Sequence, residues 1–273
     1  MNITTTSIVL FSPTGTSRKV AQAVADGCRC VAHLVDATYS VPEHLTFDSN
    51  ALVFMSVPVY GGKVAPLALQ RLEAMKGNNT PIVLIVVYGN RAYEGAMVQL
   101  DAFVRQRGFV PIAAGAFVGE HSYSTPAMPI AKGRPDATDL SEARTWGLAI
   151  REKISYIASP VAVDVARLKA PSGSLFSKLR FMAFVLQQRN KKKPVVKPVP
   201  IVDNDKCRSC GKCARLCPNG AISADGKTTN PDLCIKCCAC VKSCPLRART
   251  FVTPYAPVLS QCFKSPKSPV TLV

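Results

Sequence analysis

The first 157 residues alternate between two hydrophobic rhythms. Continuous apolar runs at 5–11, 31–35, 51–57, 82–87 and 110–118 have the length of strands. They lack the polar alternation of a half-solvated sheet, so they predict strands covered on both faces. Between them, 17–26, 67–75, 95–107 and 140–157 carry apolar residues at helical spacing, with Val20, Ala21 and Val24 on one side of the first. Strands alternating with helices predict an α/β fold, a doubly wound five-stranded parallel sheet. Ligands of such sheets bind beyond the carboxyl ends of the strands, near the switch point.

The rhythm changes after residue 157. From Val165 to Val202 there is no acid, while Arg167, Lys169, Lys178, Arg180, Arg189, Lys191, Lys192, Lys193 and Lys197 are basic. Within this 158–202 linker, 175–188 predicts a short helix with Leu175, Leu179, Met182 and Leu186 on one face and Phe176 and Phe184 nearby. We expect that stripe to pack on the N-terminal domain, because amphipathic helices normally bury their apolar face internally. The other use of the 175–193 segment is contact with an anionic membrane or an acidic redox partner. The proline-containing stretch 191–200 predicts a stiff, solvated spacer.

Residues 203–252 hold the chemistry. Cys207, Cys210, Cys213 and Cys217 are spaced C-x2-C-x2-C-x3-C before Pro218; Cys234, Cys237, Cys240 and Cys244 repeat the spacing before Pro245, each 27 residues on. This is the two-cluster bacterial ferredoxin pattern, in which three cysteines of a run cap one cubane and the fourth completes the other. It predicts one [4Fe–4S] cluster on Cys207, Cys210, Cys213 and Cys244, and a second on Cys234, Cys237, Cys240 and Cys217. Structural zinc is the rival, but four ligands satisfy zinc and the third cysteine of each run would be superfluous. A disulfide framework fits worse, because adjacent ligands are too crowded. Between the runs, 221–229 predicts a hairpin with an Asp225-Gly226 turn. So small a core needs its clusters in order to fold. Cys238 breaks the spacing and reads as a filler, Cys28 and Cys30 as inert thiols, and Cys262 as part of a disordered tail, 253–273.

Charge adds a preference for partners. Lys and Arg number 34 against 17 Asp and Glu, a net +17 concentrated beyond residue 158. Thiolate-ligated clusters would remove about four of those charges. A basic chain attracts acidic proteins, anionic membranes or nucleic acid. No nucleic-acid-binding signature is present, so nucleic acid is not expected. Neither a secretory leader nor an apolar run of membrane-spanning length is visible, and dense thiolate ligands predict a cytoplasmic protein.

Three loops follow consecutive strands. Phe11-Ser12-Pro13-Thr14-Gly15-Thr16-Ser17 offers hydroxyls, a glycine and a helix start, which together suit a phosphate; it equally suits a helix merely capped by Thr16 or Ser17. It is neither a Walker loop nor G-x-G-x-x-G, so nothing supports a nicotinamide nucleotide. Pro58-Val59-Tyr60-Gly61-Gly62 and Tyr88-Gly89-Asn90-Arg91-Ala92-Tyr93 each bring tyrosine and glycine to the same sheet edge. Glycine exposes backbone N–H groups and tyrosine can stack on a flat ring, although either loop alone reads as ordinary punctuation.

Residues 1–157 resemble flavodoxin, whose phosphate loop has the form Ser/Thr-x-Thr-Gly-x-Thr. Ser12, Thr14, Gly15 and Thr16 match it, with Ser17 in place of the final threonine. The whole chain resembles a bacterial family often called ferrodoxins, a flavodoxin-like domain fused to a two-cluster ferredoxin. The similarity is carried by the three loops and the cysteine runs, with Gly119-Glu120-His121-Ser122-Tyr123-Ser124 and Gly133-Arg134-Pro135-Asp136. It implies FMN, its phosphate held by Ser12, Thr14, Gly15, Thr16 and Ser17, with the ring near Pro58, Val59, Tyr60, Gly61, Gly62, Tyr88, Gly89, Asn90, Arg91 and Tyr93. The long 120–139 segment is expected to flank the flavin and help mate the domains, with His121 as a candidate proton carrier. The leading expectation is an electron relay between clusters and FMN, serving an acidic redox protein. Two others are an FMN-dependent reductase of a small organic substrate and a redox-responsive partner-binding protein.

Overall fold

The computed structural model describes residues 1–43, 45–171, 173–191 and 197–273. They form two compact units: residues 1–120, 133–171 and 267–273 make the first, and 121–132 with 173–266 the second. This differs from the simple succession of a 1–157 domain, a 158–202 linker, a 203–252 domain and a 253–273 tail. The 120–139 segment is divided, with 121–132 going to the second unit, and the tail is ordered.

In the first unit, five strands run parallel: β1 (Thr5–Leu10), β2 (His33–Asp36), β3 (Ala51–Tyr60), β4 (Thr80–Tyr88) and β5 (Phe109–Val118). Their order is β2-β1-β3-β4-β5, the flavodoxin-like doubly wound arrangement with its switch between β1 and β3. A sixth strand, β6 (Val270–Leu272), joins antiparallel to β5. Three residues are too few for a periodic signal, and the partner strand lies far away in sequence, so this strand was invisible to pattern. The helices are α1 (Thr16–Gly27), α2 (Pro66–Arg71), α3 (Ala96–Arg105) and α4 (Ala137–Tyr156).

All residues of β4 are buried, which is what a strand covered on both faces requires. On one face, Leu10, Phe54, Ile85 and Phe117 share a core with Val20 and Val24 of α1 and Trp146 and Ile150 of α4. The alternate positions Val9, Val53, Met55 and Leu84 are equally buried. A Cβ on Gly147 would lie 2.1 Å from the Val24 carbonyl oxygen, so the α1–α4 crossing is possible only because that side chain is missing.

The second unit is built on the 27-residue repeat. Helix α6 (Lys212–Arg215) in the first half matches α7 (Ala239–Lys242) in the second. Left-handed backbone recurs at Ser209 and Lys236, at Gly211 and Cys238, and at Gly220 and Arg247. Ile222 bridges Thr229 in one half, while Arg249–Thr250 pairs with Ile201–Val202 in the other. The expected Asp225-Gly226 turn is present, with the Gly226 N–H donating to the Ser223 carbonyl at 2.8 Å.

A satellite core joins α5 (Leu175–Asn190) to α8 (Tyr255–Cys262), with Phe181 against Phe263 at 5.5 Å and Phe184 edge-on to Tyr255 at 5.3 Å. The stripe expected to be covered is not: Leu175, Leu179, Met182 and Leu186 are all more than half exposed. The aromatic side of α5 has taken the packing role. Of the expected spacer, residues 192–196 lie outside the described residues. Among the described residues, no helix is long and apolar enough to cross a membrane.

Candidate cofactor sites

The first site lies at the carboxyl ends of β1, β3 and β4. Gly15 caps α1 in left-handed backbone, φ 77°, with no side-chain cap on the helix. The alternative of Thr16 or Ser17 as an ordinary capping residue is therefore overturned; both lie inside α1. The Gly15 N–H donates to the Ser12 carbonyl at 3.0 Å, and Ser12 Oγ accepts the Arg18 N–H at 3.1 Å. Thr14 and Thr16 bring their hydroxyls within 3.1 Å of each other, and the space beside Gly15 is open. The helix-start N–H groups ahead of Arg18, clustered hydroxyls and an open glycine fit a phosphate group.

Residues without a motif hold this loop in place. Buried Thr38 accepts the Ser12 N–H at 2.8 Å, and buried Ser56 donates to the Ser17 carbonyl at 3.1 Å. After β5, a Cβ on Gly119 would come within 2.6 Å of the Thr16 methyl. Sequence reasoning missed Thr38 and Ser56 because a lone buried hydroxyl carries no local signal.

The other two loops fit a flat ring in backbone more than in side chain. Gly61 and Gly62 have φ of 61° and 84°, and the space beside Gly61 is open. Pro58, Val59 and Tyr60 are half-buried. Tyr88 and Tyr93 correct an expectation: they are 2% and 4% exposed and pack edge to face at 5.4 Å. The Tyr93 hydroxyl donates to the Leu168 carbonyl at 2.8 Å, so neither ring offers a face for stacking. Gly89 continues the loop into Asn90, fully buried with φ 65°, whose Oδ1 accepts the Lys267 N–H at 3.0 Å. Lys267 Nζ donates to the Arg91 carbonyl at 2.6 Å, so the segment leading to β6 braces this loop. Arg91 itself pairs with Glu94.

The second site belongs to the other unit. Among the described residues, no three of His, Cys, Asp or Glu converge on one point as a single ion would require. Instead Cys217 of the first run and Cys234, Cys237 and Cys240 of the second line one small cavity, together with Cys238, Ile222, Ile235 and Pro200. This is the crossed set expected for one cubane. The halves treat their cysteines alike. The N–H of Cys207 donates to the Asp203 carbonyl at 3.0 Å and that of Cys234 to the Asn230 carbonyl at 3.1 Å. Cys217 Sγ accepts the Ala221 N–H at 3.2 Å, and Cys244 Sγ the Ala248 N–H at 3.3 Å. Cys213 lies where a Cβ on Gly226 would be 2.9 Å from its sulfur, and Cys210 is exposed.

Burial pushes the Cys237 thiol up to about 12 and the Cys240 thiol up to about 11. Ligation would require these thiols to give up their protons against a metal's charge, and it is the set of four soft sulfur donors that fits iron. Cys238 takes the left-handed position that Gly211 fills in the other half. Burial likewise raises its thiol.

His121 also belongs to this unit; its Nδ1 accepts the Tyr123 N–H at 3.0 Å. Tyr123 packs on Phe251 at 5.2 Å. Burial, with the Cys238, Cys234 and Cys237 thiols nearby, pushes its hydroxyl up to about 12. The 121–132 stretch thus lines the cysteine region of its own unit.

The family model for the 4Fe-4S binding domain matches the chain twice, at residues 200–223 and 227–250. The chain is 41% identical over 56 residues to pyruvate synthase subunit PorD of Methanocaldococcus jannaschii, covering 19% of this chain and 65% of that protein. It is 42% identical over 62 residues to the electron transport protein HydN of Escherichia coli, covering 21% of this chain and 35% of that one. It spans 26% of an uncharacterized polyferredoxin-like protein of M. jannaschii. A solved flavodoxin from the domain Archaea aligns with 56% of this chain and 100% of its own at 15% identity, with a TM-score of 0.41. The second unit carries a two-repeat 4Fe-4S ferredoxin domain, a module of iron–sulfur electron transfer. The first has a flavodoxin-like α/β fold, read from its strand order.

Proposed function

We propose that this protein is a cytoplasmic electron-transfer iron–sulfur flavoprotein, relaying electrons between two [4Fe–4S] clusters and FMN, and a member of the ferrodoxin family that it resembles. The observation that carries the reading is the cavity where Cys217 joins Cys234, Cys237 and Cys240. A cysteine crossing from one repeat to the other is the mark of two clusters sharing one fold. When bound, the clusters supply one-electron transfer and FMN one- or two-electron transfer.

The residues have distinct tasks. Cys217, Cys234, Cys237 and Cys240 hold one cluster; Cys207, Cys210, Cys213 and Cys244 hold the other. The start of α1, with Thr14, Gly15, Thr16 and Ser17, binds the FMN phosphate, and Ser12 keeps the loop folded. Gly61 and Gly62 present backbone to the ring, with half-buried Tyr60 as its aromatic neighbour. Redox exchange is with an acidic protein, drawn by the basic charge. No step is assigned to His121, which belongs to the unit of the cysteines and not to that of the flavin loops.

Anaerobic purification followed by reductive titration tests the relay. The expected result is one FMN and about eight irons per chain, with flavin and cluster absorbance bleaching together. Iron without flavin would leave the ferredoxin domain intact and remove FMN from the proposal.

The exposed stripe of α5 favours one further contact. Leu175, Leu179, Met182 and Leu186 stand exposed in a helix that also carries exposed Lys178 and Arg189. An apolar strip flanked by cations suits the headgroup region of an anionic membrane.

A further inference from the structure

Two thiols that no motif marks meet where α1 ends. The helix closes in a Schellman turn: the Arg29 N–H donates to the Asp26 carbonyl at 3.0 Å and the Cys30 N–H to the Ala25 carbonyl at 3.2 Å. Glycine normally fills the left-handed place of such a turn; here Arg29 holds it, with φ 54°. The turn brings the sulfurs of its neighbours Cys28 and Cys30 to 3.4 Å. A disulfide bond needs ~2.05 Å, so the two sulfurs stand in van der Waals contact, one step short of bonding.

The two thiols are not equivalent. Cys28 is 2% exposed and is pinned by its N–H to the Val24 carbonyl at 2.9 Å. Cys30 is half-buried between exposed Arg29 and Val31, so a small molecule reaches it from solvent. The hydrogen bond from Cys28 favours a thiolate on Cys30; burial opposes it, and the Thr6 hydroxyl and the Arg151 charge add to it. The same bond, with burial, keeps Cys28 protonated. Cys30, when protonated, can instead donate to the Cys28 carbonyl at 3.4 Å. An accessible sulfur that ionises beside a buried one that does not is the arrangement of an attacking thiol and its resolving partner. Among the described residues no third His, Cys, Asp or Glu joins them, so a single ion would find only two ligands. The pair sits at the end of α1 opposite the phosphate loop, 12 residues and about 18 Å away.

We propose that Cys28 and Cys30 are a redox-active dithiol, oxidised reversibly to an internal disulfide by exchange with a low-molecular-weight disulfide. The Cys30 thiolate attacks one sulfur of that oxidant; its S–S bond breaks and one thiolate leaves. Cys28 then attacks the Cys30 sulfur of the mixed disulfide. The Cys28–Cys30 bond forms, and the second thiolate leaves with the Cys28 proton. Two electrons pass from the pair to the oxidant, which ends as two thiols. A disulfide closing so short a loop is strained and readily reduced again, which suits a reversible couple. The site needs neither flavin nor clusters, and it stands or falls apart from the electron relay.

The test uses the full, iron-loaded chain under anaerobic conditions. It is incubated with excess oxidised glutathione at pH 7, quenched with acid, alkylated with N-ethylmaleimide and digested with trypsin. Cleavage after Arg29 parts the two cysteines into peptides 20–29 and 30–63. In the wild type both cysteines should lose their alkylation. The two peptides should then travel as one species, two hydrogens lighter than their sum, until a reductant separates them. Cys28→Ser should halt at the mixed disulfide, with glutathione retained on Cys30. Cys30→Ser should leave Cys28 free for alkylation; glutathione on Cys28 instead would overturn the assignment of roles. Full alkylation of both cysteines in the wild type overturns the proposal. So does glutathione left on wild-type Cys30, or a disulfide from either cysteine to any other. The wild-type masses decide alone, so a serine variant that fails to fold does not blunt the test.

Discussion

Asp139 is the most heavily used carboxylate of the first unit. It is 1% exposed, takes both prongs of the Arg134 guanidinium, and accepts the Asp136 N–H at 2.9 Å as half of the capping box of α4. Asp139→Ala would take from Arg134 its two-pronged partner, leaving only the Asp136 carboxylate and the Lys267 carbonyl at 3.5 Å, and would remove the reciprocal cap. We expect a loss of about 2–4 kcal/mol, a charged hydrogen-bonded pair together with a helix cap. Trp146, the single tryptophan, sits buried on the same helix, so its fluorescence in a urea titration reads this loss directly. A wild-type midpoint would show that the pair is idle. Cys30 offers a pH test. Its sulfur lies 3.4 Å from that of Cys28, and the shared hydrogen bond lowers the Cys30 thiol to about 6. It is then protonated at pH 5 and a thiolate at pH 7. Its alkylation by iodoacetamide, followed by peptide mass spectrometry, should level off by pH 7, whereas an ordinary thiol near 8.5 keeps gaining to pH 9. A rate still climbing above pH 8 would refute the depression. At this scale the eight cysteines were legible because metal ligation demands fixed spacing. Buried Arg249, whose Nη1 lies 3.8 Å from the Cys213 sulfur, was overlooked although its signal was present: laying one repeat on the other puts isoleucine, Ile222, opposite arginine.

Among the elements, the strands of the parallel sheet and their helices fell where hydrophobic rhythm placed them, because strands buried on both faces leave long apolar runs. What rhythm could not decide was which side of α5 would be covered. Phe181 and Phe184 compete with the leucine stripe, and their partners, Phe263 and Tyr255, come from a tail that has no periodicity of its own. The exposed stripe then becomes a prediction. Vesicles containing phosphatidylglycerol should sediment the protein, and pure phosphatidylcholine vesicles should not. Replacing Leu179 and Met182 by Asp should weaken binding by at least about tenfold, since each loses ~1.5–3 kcal/mol of burial. Binding that survives the double substitution would move the contact elsewhere, and failure on every vesicle would leave an acidic protein as the partner of this face.

For the whole molecule, the two units draw on different sources of stability. The first has an extensive apolar core around Phe54, Ile85, Phe117 and Trp146. The second has small cores and carries the eight cysteines of the two 4Fe-4S repeats. Anaerobic removal of iron with a chelator should therefore melt one and spare the other. Hydrogen exchange should rise sharply across 203–250, while β3 and β4 stay protected; equal loss in both would mean that they fold as one.

The chain passes between the units four times, near residues 120, 132, 171 and 266, and β6 returns to the first unit only after the whole second unit has been laid down. During synthesis on the ribosome, the edge of β5 must wait for a strand more than 150 residues downstream. Iron can thus be loaded while the sheet is still incomplete, and the order of maturation is written into the connectivity. Gene shuffling faces the same constraint: neither half can be excised as a contiguous cassette without cutting into the other.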